Sequence, residues 1–153
     1  MFYATLEGVE EFEAECRAFE SVLREGTRAA VLAAVKAGQA VAKAQPFKNR
    51  TGALRDRLYA TLVDTSDTNI EGEIWASQPY ASYVEEGTQP HVIAARNKKF
   101  LRWVDGGGTH FAKSVMHPGS KSIPFMGPAY LTAERVLNAR MELVAVEAGK
   151  VFK

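Results

Sequence analysis

Leu58-Tyr59-Ala60-Thr61-Leu62-Val63 and Ile70-Glu71-Gly72-Glu73-Ile74-Trp75-Ala76-Ser77 stand on either side of Asp64-Thr65-Ser66-Asp67-Thr68-Asn69. The outer runs are rich in β-branched and aromatic residues, and the polar run between them has turn chemistry. Two antiparallel strands joined as a hairpin are therefore expected. In the second run Ile70, Gly72, Ile74 and Ala76 share one face, and Glu71, Glu73 and Trp75 share the other. Long helical patterns lie before and after this hairpin. Antiparallel pairing with helices on one face is an α+β arrangement.

Upstream, residues 10–45 read as one long helix or two in line. Phe12, Cys16, Phe19, Leu23, Ala30, Ala34, Gly38 and Val41 recur at three- and four-residue steps, widened by Val31, Val35 and Ala42. Gly26 and Gly38 weaken it locally, by about 1 kcal/mol each relative to Ala. Ala29 to Ala44 is alanine-rich, which permits close approach of another helix. Gln45-Pro46 ends the pattern, because a residue before proline is pushed out of the helical region. A continuous helix of this extent would be roughly 54 Å long at about 1.5 Å per residue. That exceeds the roughly 30 Å width of a domain this size, so part of it should project or pack on a neighbour. Thr51-Gly52-Ala53-Leu54-Arg55 predicts a short helical turn capped by Thr51.

Downstream, Tyr80 to Glu86 predicts a short helix with Tyr80, Tyr83 and Val84 on one face and Gly87 as its C-terminal cap. His91-Val92-Ile93-Ala94 and Phe100-Leu101-Arg102-Trp103-Val104 predict a second hairpin, with Arg96-Asn97-Lys98-Lys99 at its tip. Gly106-Gly107-Gly108 punctuates, Phe111 to Met116 adds a fifth strand, and His117 to Ile123 is a loop. From Gly127 or Pro128 a long helix should run to about Ala148, burying Leu137, Met141, Val144 and Ala148. The expectation is one domain over residues 1–153. It comprises an antiparallel sheet of about four to five strands, a long N-terminal helix, a short central helix and a long C-terminal helix.

The chain has 153 residues, 46% apolar and 24% charged, a globular composition able to bury one ordinary core. No window suits a membrane span, and the N-terminus has neither the basic start nor the apolar run of a signal peptide. The lone Cys16 excludes an internal disulfide and reads as a buried thiol. These features predict a soluble protein made inside the cell.

The net charge of +1 hides a segregation: residues 58–90 carry −6 and residues 91–125 carry +5. Asp64, Asp67, Glu71, Glu73, Glu85 and Glu86 make the first block. Arg96, Lys98, Lys99, Arg102, Lys113 and Lys121, less Asp105, make the second. Copies that pack side by side gain from such complementary faces.

Catalytic and metal patterns are sparse. An odd separation points His110 and His117 to opposite faces of a strand, and no cysteine or i, i+4 ligand pair accompanies them or His91. Glu85-Glu86 near His91 has no nucleophile motif beside it. Gly106-Gly107-Gly108 lacks the Lys and the following helix of a phosphate loop. No catalytic residue, metal or cofactor is expected, and an enzyme is not. Arg96, Lys98, Lys99 and Arg102, interleaved with Phe100 and Trp103, form a basic run suited to phosphate backbones or an acidic partner.

Four segments, in order, resemble one family. Thr51-Gly52-Ala53-Leu54-Arg55, Tyr80-Ala81-Ser82-Tyr83-Val84-Glu85-Glu86-Gly87-Thr88, His117-Pro118-Gly119 and Pro124-Phe125-Met126-Gly127-Pro128-Ala129 are similar to the small neck or tail-completion proteins that join head to tail in long-tailed double-stranded DNA phages. The resemblance spans roughly residues 46–130. In the first motif Thr51, Gly52, Leu54 and Arg55 match and Asp56-Arg57 depart. In the second Tyr80, Ala81, Tyr83, Val84, Glu85, Gly87 and Thr88 match, with Glu86 in place of an aromatic residue. In the fourth Pro124, Phe125, Met126, Pro128 and Ala129 match, with Gly127 in place of Arg.

The resemblance implies a non-enzymatic virion protein, made in the bacterial host cytoplasm and built into a ring of six copies in the virion neck. The ring's neighbours would be head-closure or connector proteins and tail-terminator or tail-tube proteins, with genomic DNA passing through it and no membrane involved. The matched residues are implied as packing and interface positions, with Tyr80, Tyr83, Val84 and Phe125 as buried anchors. Two other readings stay open: a tail-terminator or minor tail ring subunit, and a small nucleic-acid-binding or metal-dependent enzyme.

Overall fold

The computed structural model describes residues 7–47, 52–66 and 69–152. In chain order the elements are α1 (Val9–Ala44), α2 (Ala53–Asp56), β1 (Leu58–Ser66), β2 (Asn69–Ala76), α3 (Ala81–Glu86), β3 (His91–Ala94), β4 (Leu101–Asp105), β5 (Gly108–Ala112), β6 (Ser114–His117) and α4 (Met126–Gly149). The protein is α+β. Where one sheet of four to five strands is expected, the described residues form three separate two-stranded antiparallel ladders, β1–β2, β3–β6 and β4–β5. Contacts gather in two compact units, one formed by the chain up to Gln78 together with Phe125 onward, the other by Pro79–Pro124.

The first unit is a helix pair with a hairpin laid on it. α1 is a single helix whose buried face is Ala30, Val31, Ala34, Val35, Gly38 and Ala42. α4 runs antiparallel to it: Phe19 meets Phe152 at 5.1 Å between ring centroids, Gly26 lies against Val144, and Gly38 lies against Ala133 and Ala129. These glycines weaken the isolated helix but permit its contacts. A Cβ on Gly38 would stand 2.6 Å from Ile74 Cδ1 and 2.7 Å from the Ala129 carbonyl oxygen.

Phe152, just past the end of α4, meets α1 at Phe19. The opening turns of α1 are uncovered, with Phe12 60% exposed and Cys16 half-buried rather than buried.

β1 and β2 pair from Leu58↔Ala76 to Ser66↔Asn69, so the strands run further into the polar segment than its composition implies. Asp67 and Thr68 lie outside the described residues. The inner face carries Leu58 and Ile74, both buried, and Gly72, where a Cβ would stand 2.5 Å from Val35 Cγ1. Gln39 Nε2 donates to the Leu58 carbonyl at 2.7 Å, fixing the strand on α1. Phe47 and Phe125 meet edge to face at 5.3 Å and, with Leu54, close the core at the C-terminal end of α1. α4 begins at Met126, with Pro128 inside its first turn, where a missing N–H costs nothing.

The second unit pairs its strands differently from the sequence expectation. His91–Ala94 does not pair with Leu101–Val104. β3 pairs with β6, His91↔His117 to Ala94↔Ser114, and β4 pairs with β5, Leu101↔Ala112 to Asp105↔Gly108. The Ala95 N–H donates to the Lys113 carbonyl at 3.0 Å between the two ladders. One side advances from Ala94 to Leu101 while the other moves only from Ser114 to Ala112, so Arg96–Phe100 loops out of one side.

The physical reason lies in the turn. Gly106 and Gly107 connect β4 to β5, with Gly108 at φ 116. Closing so short a connection takes a residue of positive φ, which Gly108 supplies and Arg96-Asn97-Lys98-Lys99 does not. Asp105 Oδ1 completes the turn, accepting from Gly107 N–H at 2.8 Å.

Candidate functional site: an uncovered ribbon and an acidic aromatic face

The first motif and the fourth from Phe125 onward are packing elements of the first unit. Thr51 lies outside the described residues, and Gly52 at φ 72 occupies the N-cap of α2 in its stead. Leu54 is buried. Arg55 Nη2 donates to the Gln45 carbonyl at 3.2 Å, placing a cation on the C-terminal cap of α1, where the helix dipole favours it. Its Nε is buried without a hydrogen-bond partner among the described residues. Phe125 is 1% exposed, as its anchor role requires. Pro124 is exposed and Pro128 half-buried, and the Pro128 carbonyl accepts from Thr132 Oγ1 at 2.9 Å.

The second motif is braced by the His117-Pro118-Gly119 segment and the residues after it. Ile123 N–H donates to the Val84 carbonyl at 2.8 Å, and Ser122 Oγ donates to the Glu85 carbonyl at 2.6 Å. Thr88 and Ser120 exchange both backbone hydrogen bonds, at 3.0 and 3.1 Å. At Gly87, φ is 78 and a Cβ would stand 2.5 Å from the Ser120 carbonyl oxygen, so only glycine fits this junction.

The expected anchors Tyr80 and Tyr83 are not buried: they are 41% and 62% exposed, and Val84 is half-buried. α3 spans only Ala81–Glu86. It meets the 117–123 segment through carbonyls at its C-terminal end, which leaves the tyrosine rings uncovered.

This exposure extends over the whole second unit. No residue of Pro79–Pro124 is buried, and Val92, Val104, Phe111 and Met116 are each at least 60% exposed. An isolated two-stranded ribbon is marginal in water, and contiguous exposed apolar surface marks an interaction site. On one face of β4–β5, Arg102 stands opposite Phe111, and Val104 opposite Thr109. On the other, Trp103 stacks on His110 at 5.2 Å, and His110 Nε2 lies 2.9 Å from Asp105 Oδ1. The Asp105 carboxyl is held below its ordinary value, chiefly by the Gly107 backbone N–H and then by His110. Arg96, Lys98 and Lys99 occupy the exposed loop between the ladders and Arg102 the strand beside it.

The three histidines do not converge. His91 and His117 are cross-strand partners with ring centroids 5.1 Å apart, while His110 belongs to the β4–β5 turn. Among the described residues no three His, Cys, Asp or Glu side chains gather to hold a metal, and no helix is long and apolar enough to cross a membrane.

A second surface escaped the sequence reading. On the outer face of β1–β2, Tyr59 and Trp75 stand opposite each other and stack at 5.4 Å, 41% and 40% exposed. Thr61 and Glu73, then Val63 and Glu71, follow along the same face. Alternation assigns Trp75, Glu71 and Glu73 to this face, but the strand register was needed to bring Tyr59 onto Trp75. The inner face borders a groove of about 370 Å³ between α1, β2 and α4, apolar except for Tyr130 and Glu134 at its rim. Compared with known protein families, curated proteins and solved structures, the chain shows no match.

Proposed function

We propose that this chain is a structural subunit of a ring in the neck of a tailed double-stranded DNA phage or a prophage-derived particle, joining head to tail and leaving a passage for the genome. The observation that carries the assembly half of this reading is the unit Pro79–Pro124, in which no residue is buried and large apolar side chains face solvent. A segment of this kind gains its stability when other chains cover it. The phage half rests on the four motif segments and their order. Charge segregation and the uncovered first turns of α1 support a contact between unlike faces, which closes into a ring when the rotation permits.

On this reading the chain is not an enzyme, and its partners are further copies of itself, a head-closure or connector protein, and a tail-terminator or tail-tube protein. The ring has six copies in the assembled particle and forms on those partners as a template. The cations of Arg96, Lys98, Lys99 and Arg102 contact phosphates in the channel or an acidic neighbour, without sequence specificity.

Electron microscopy of particles from a host carrying the deleted gene tests this: separate heads and tails should accumulate, and the restored gene should return a ring at the junction. Finding the protein only along the tail tube overturns the neck assignment. Portal, head-closure and major tail genes beside this one would support it independently.

A further inference from the structure

We infer that the β4–β5 ladder of one copy docks through its Arg102–Phe111 face onto the outer β1–β2 face of the next copy, as a head-to-tail contact. The inference deepens the proposed ring and rests on it for the number of copies, but the contact itself is argued from the two faces. Each carries exposed apolar side chains next to a charge, and the charges are opposite. On β1–β2 the stacked Tyr59 and Trp75 precede Glu73 and then Glu71. On β4–β5, Phe111 lies opposite Arg102, with Val104 two residues further along the same face.

Residues two apart on a strand are about 7 Å apart, so Val104 stands from Arg102 as Trp75 stands from Glu73, while Phe111 lies directly across from Arg102. Val104 can cover the Tyr59–Trp75 pair while Arg102 reaches Glu73 and Phe111 packs beside them. Val104 and Phe111 are 65% and 64% exposed, Tyr59 and Trp75 41% and 40%. Lys98 and Lys99, in the loop preceding β4, add positive charge on the side that would meet Glu71. A two-fold contact of either face with itself would oppose acid to acid or base to base, which costs free energy. The occupant is therefore an unlike face of a second copy.

The test uses the full chain with Cys16→Ala as background. One chain carries Glu73→Cys and a second, of different mass, carries Arg102→Cys. The two chains are co-expressed while particles assemble, so that the partner proteins template the ring, and are treated with a bis-maleimide spanning about 10 Å, the separation of face-packed sheets. The expected result is a mixed product in excess of both same-site products, lost when Trp75→Ala is added to the first chain.

In a parallel charge exchange, Glu73→Arg or Arg102→Glu alone should abolish self-association and head–tail joining, and the two together in one chain should restore both. All these positions are exposed, so unchanged thermal melting shows that the fold is intact. Same-site products predominating, or failure of the double exchange to restore association, overturns the inference. So does a cross-link confined within one chain carrying both cysteines. A neck ring seen in particles without the mixed product would retain the proposed function and reject this contact. The mixed product from a protein absent from the neck would do the reverse.

Discussion

Replacing Gly38 with alanine should destabilise the protein although it improves the helix. In an isolated helix the change contributes about 1 kcal/mol in favour of folding. Here the added Cβ would lie 2.6 Å from Ile74 Cδ1 and 2.7 Å from the Ala129 carbonyl oxygen. Apolar atoms prefer about 3.5–4.0 Å, so the overlap approaches 1 Å on two sides at once. Ile74 is 5% exposed and Ala129 fully buried; the first cannot swing into solvent, and the oxygen moves only with α4.

Overpacking of this kind costs about 1–3 kcal/mol. The net is a loss of about 1 kcal/mol, or roughly 2–4 °C in Tm for a chain of this length. The internal control is Gly127→Ala, in the first turn of α4, where an added Cβ meets nothing within 4 Å; Tm should stay level or rise. Thermal unfolding by circular dichroism reads both. A Gly38→Ala variant melting at or above the parent would refute the claim that α1, β2 and α4 meet closely at this point.

Phe125→Ala should cost about 3–5 kcal/mol in denaturant unfolding, because the ring is fully enclosed against Phe47. Tyr83→Ala, at an exposed position, should stay within about 0.5 kcal/mol of the parent and, on the proposed neck reading, reduce head–tail joining; a large loss of Tm would show that the ring is buried after all. Where the proposed contact of this loop is with DNA, Lys98→Ala with Lys99→Ala should lower the salt slope of binding by about two. Wild-type infectivity from the fourfold alanine variant that adds Arg96 and Arg102 would instead mean a loop that only solvates. Asp105 has a depressed carboxyl value from Gly107 N–H and His110, so its contribution to the β4–β5 turn is complete above the ordinary value and lost as pH falls through the lowered one. Exchange of the Gly107 amide should accelerate over that acid range in the parent and be insensitive to pH titration of this kind in Asp105→Asn; equal profiles would remove Asp105 from the turn.

What was readable in the sequence follows from where the signal is local. The stripe of α1, the end of α4 and the face assignment of Ile70 to Ala76 are periodic patterns, and periodicity reports backbone geometry directly. The pairing of the second ribbon is not legible because Arg96-Asn97-Lys98-Lys99 has the polarity of a turn, whereas the tight connection is closed by the left-handed backbone of Gly108. Polarity marks exposure, and a looped-out segment is as exposed as a turn. Tyr80 and Tyr83 share a face, as their spacing implies, but spacing does not say whether the chain itself or another one covers that face. The contacts at Gly38 and Gly72 are tertiary and have no local signature; in sequence they register only as breaks in helix and strand.

The pairing of α1 with α4 also has a consequence for the order in which the protein takes shape during synthesis. Between Ala44 and Met126 the ribosome must add the hairpin, the ribbon and every loop, which at about 5–20 residues per second takes several seconds. Throughout that interval the alanine-valine stripe of α1 has only β1–β2 to shelter it, and its side toward α4 is open to water and to other nascent chains. A chaperone that binds small apolar helices should engage this protein early and release it once Val144 and Phe152 have emerged. Chains stopped before α4 should aggregate through α1 rather than through the ribbon.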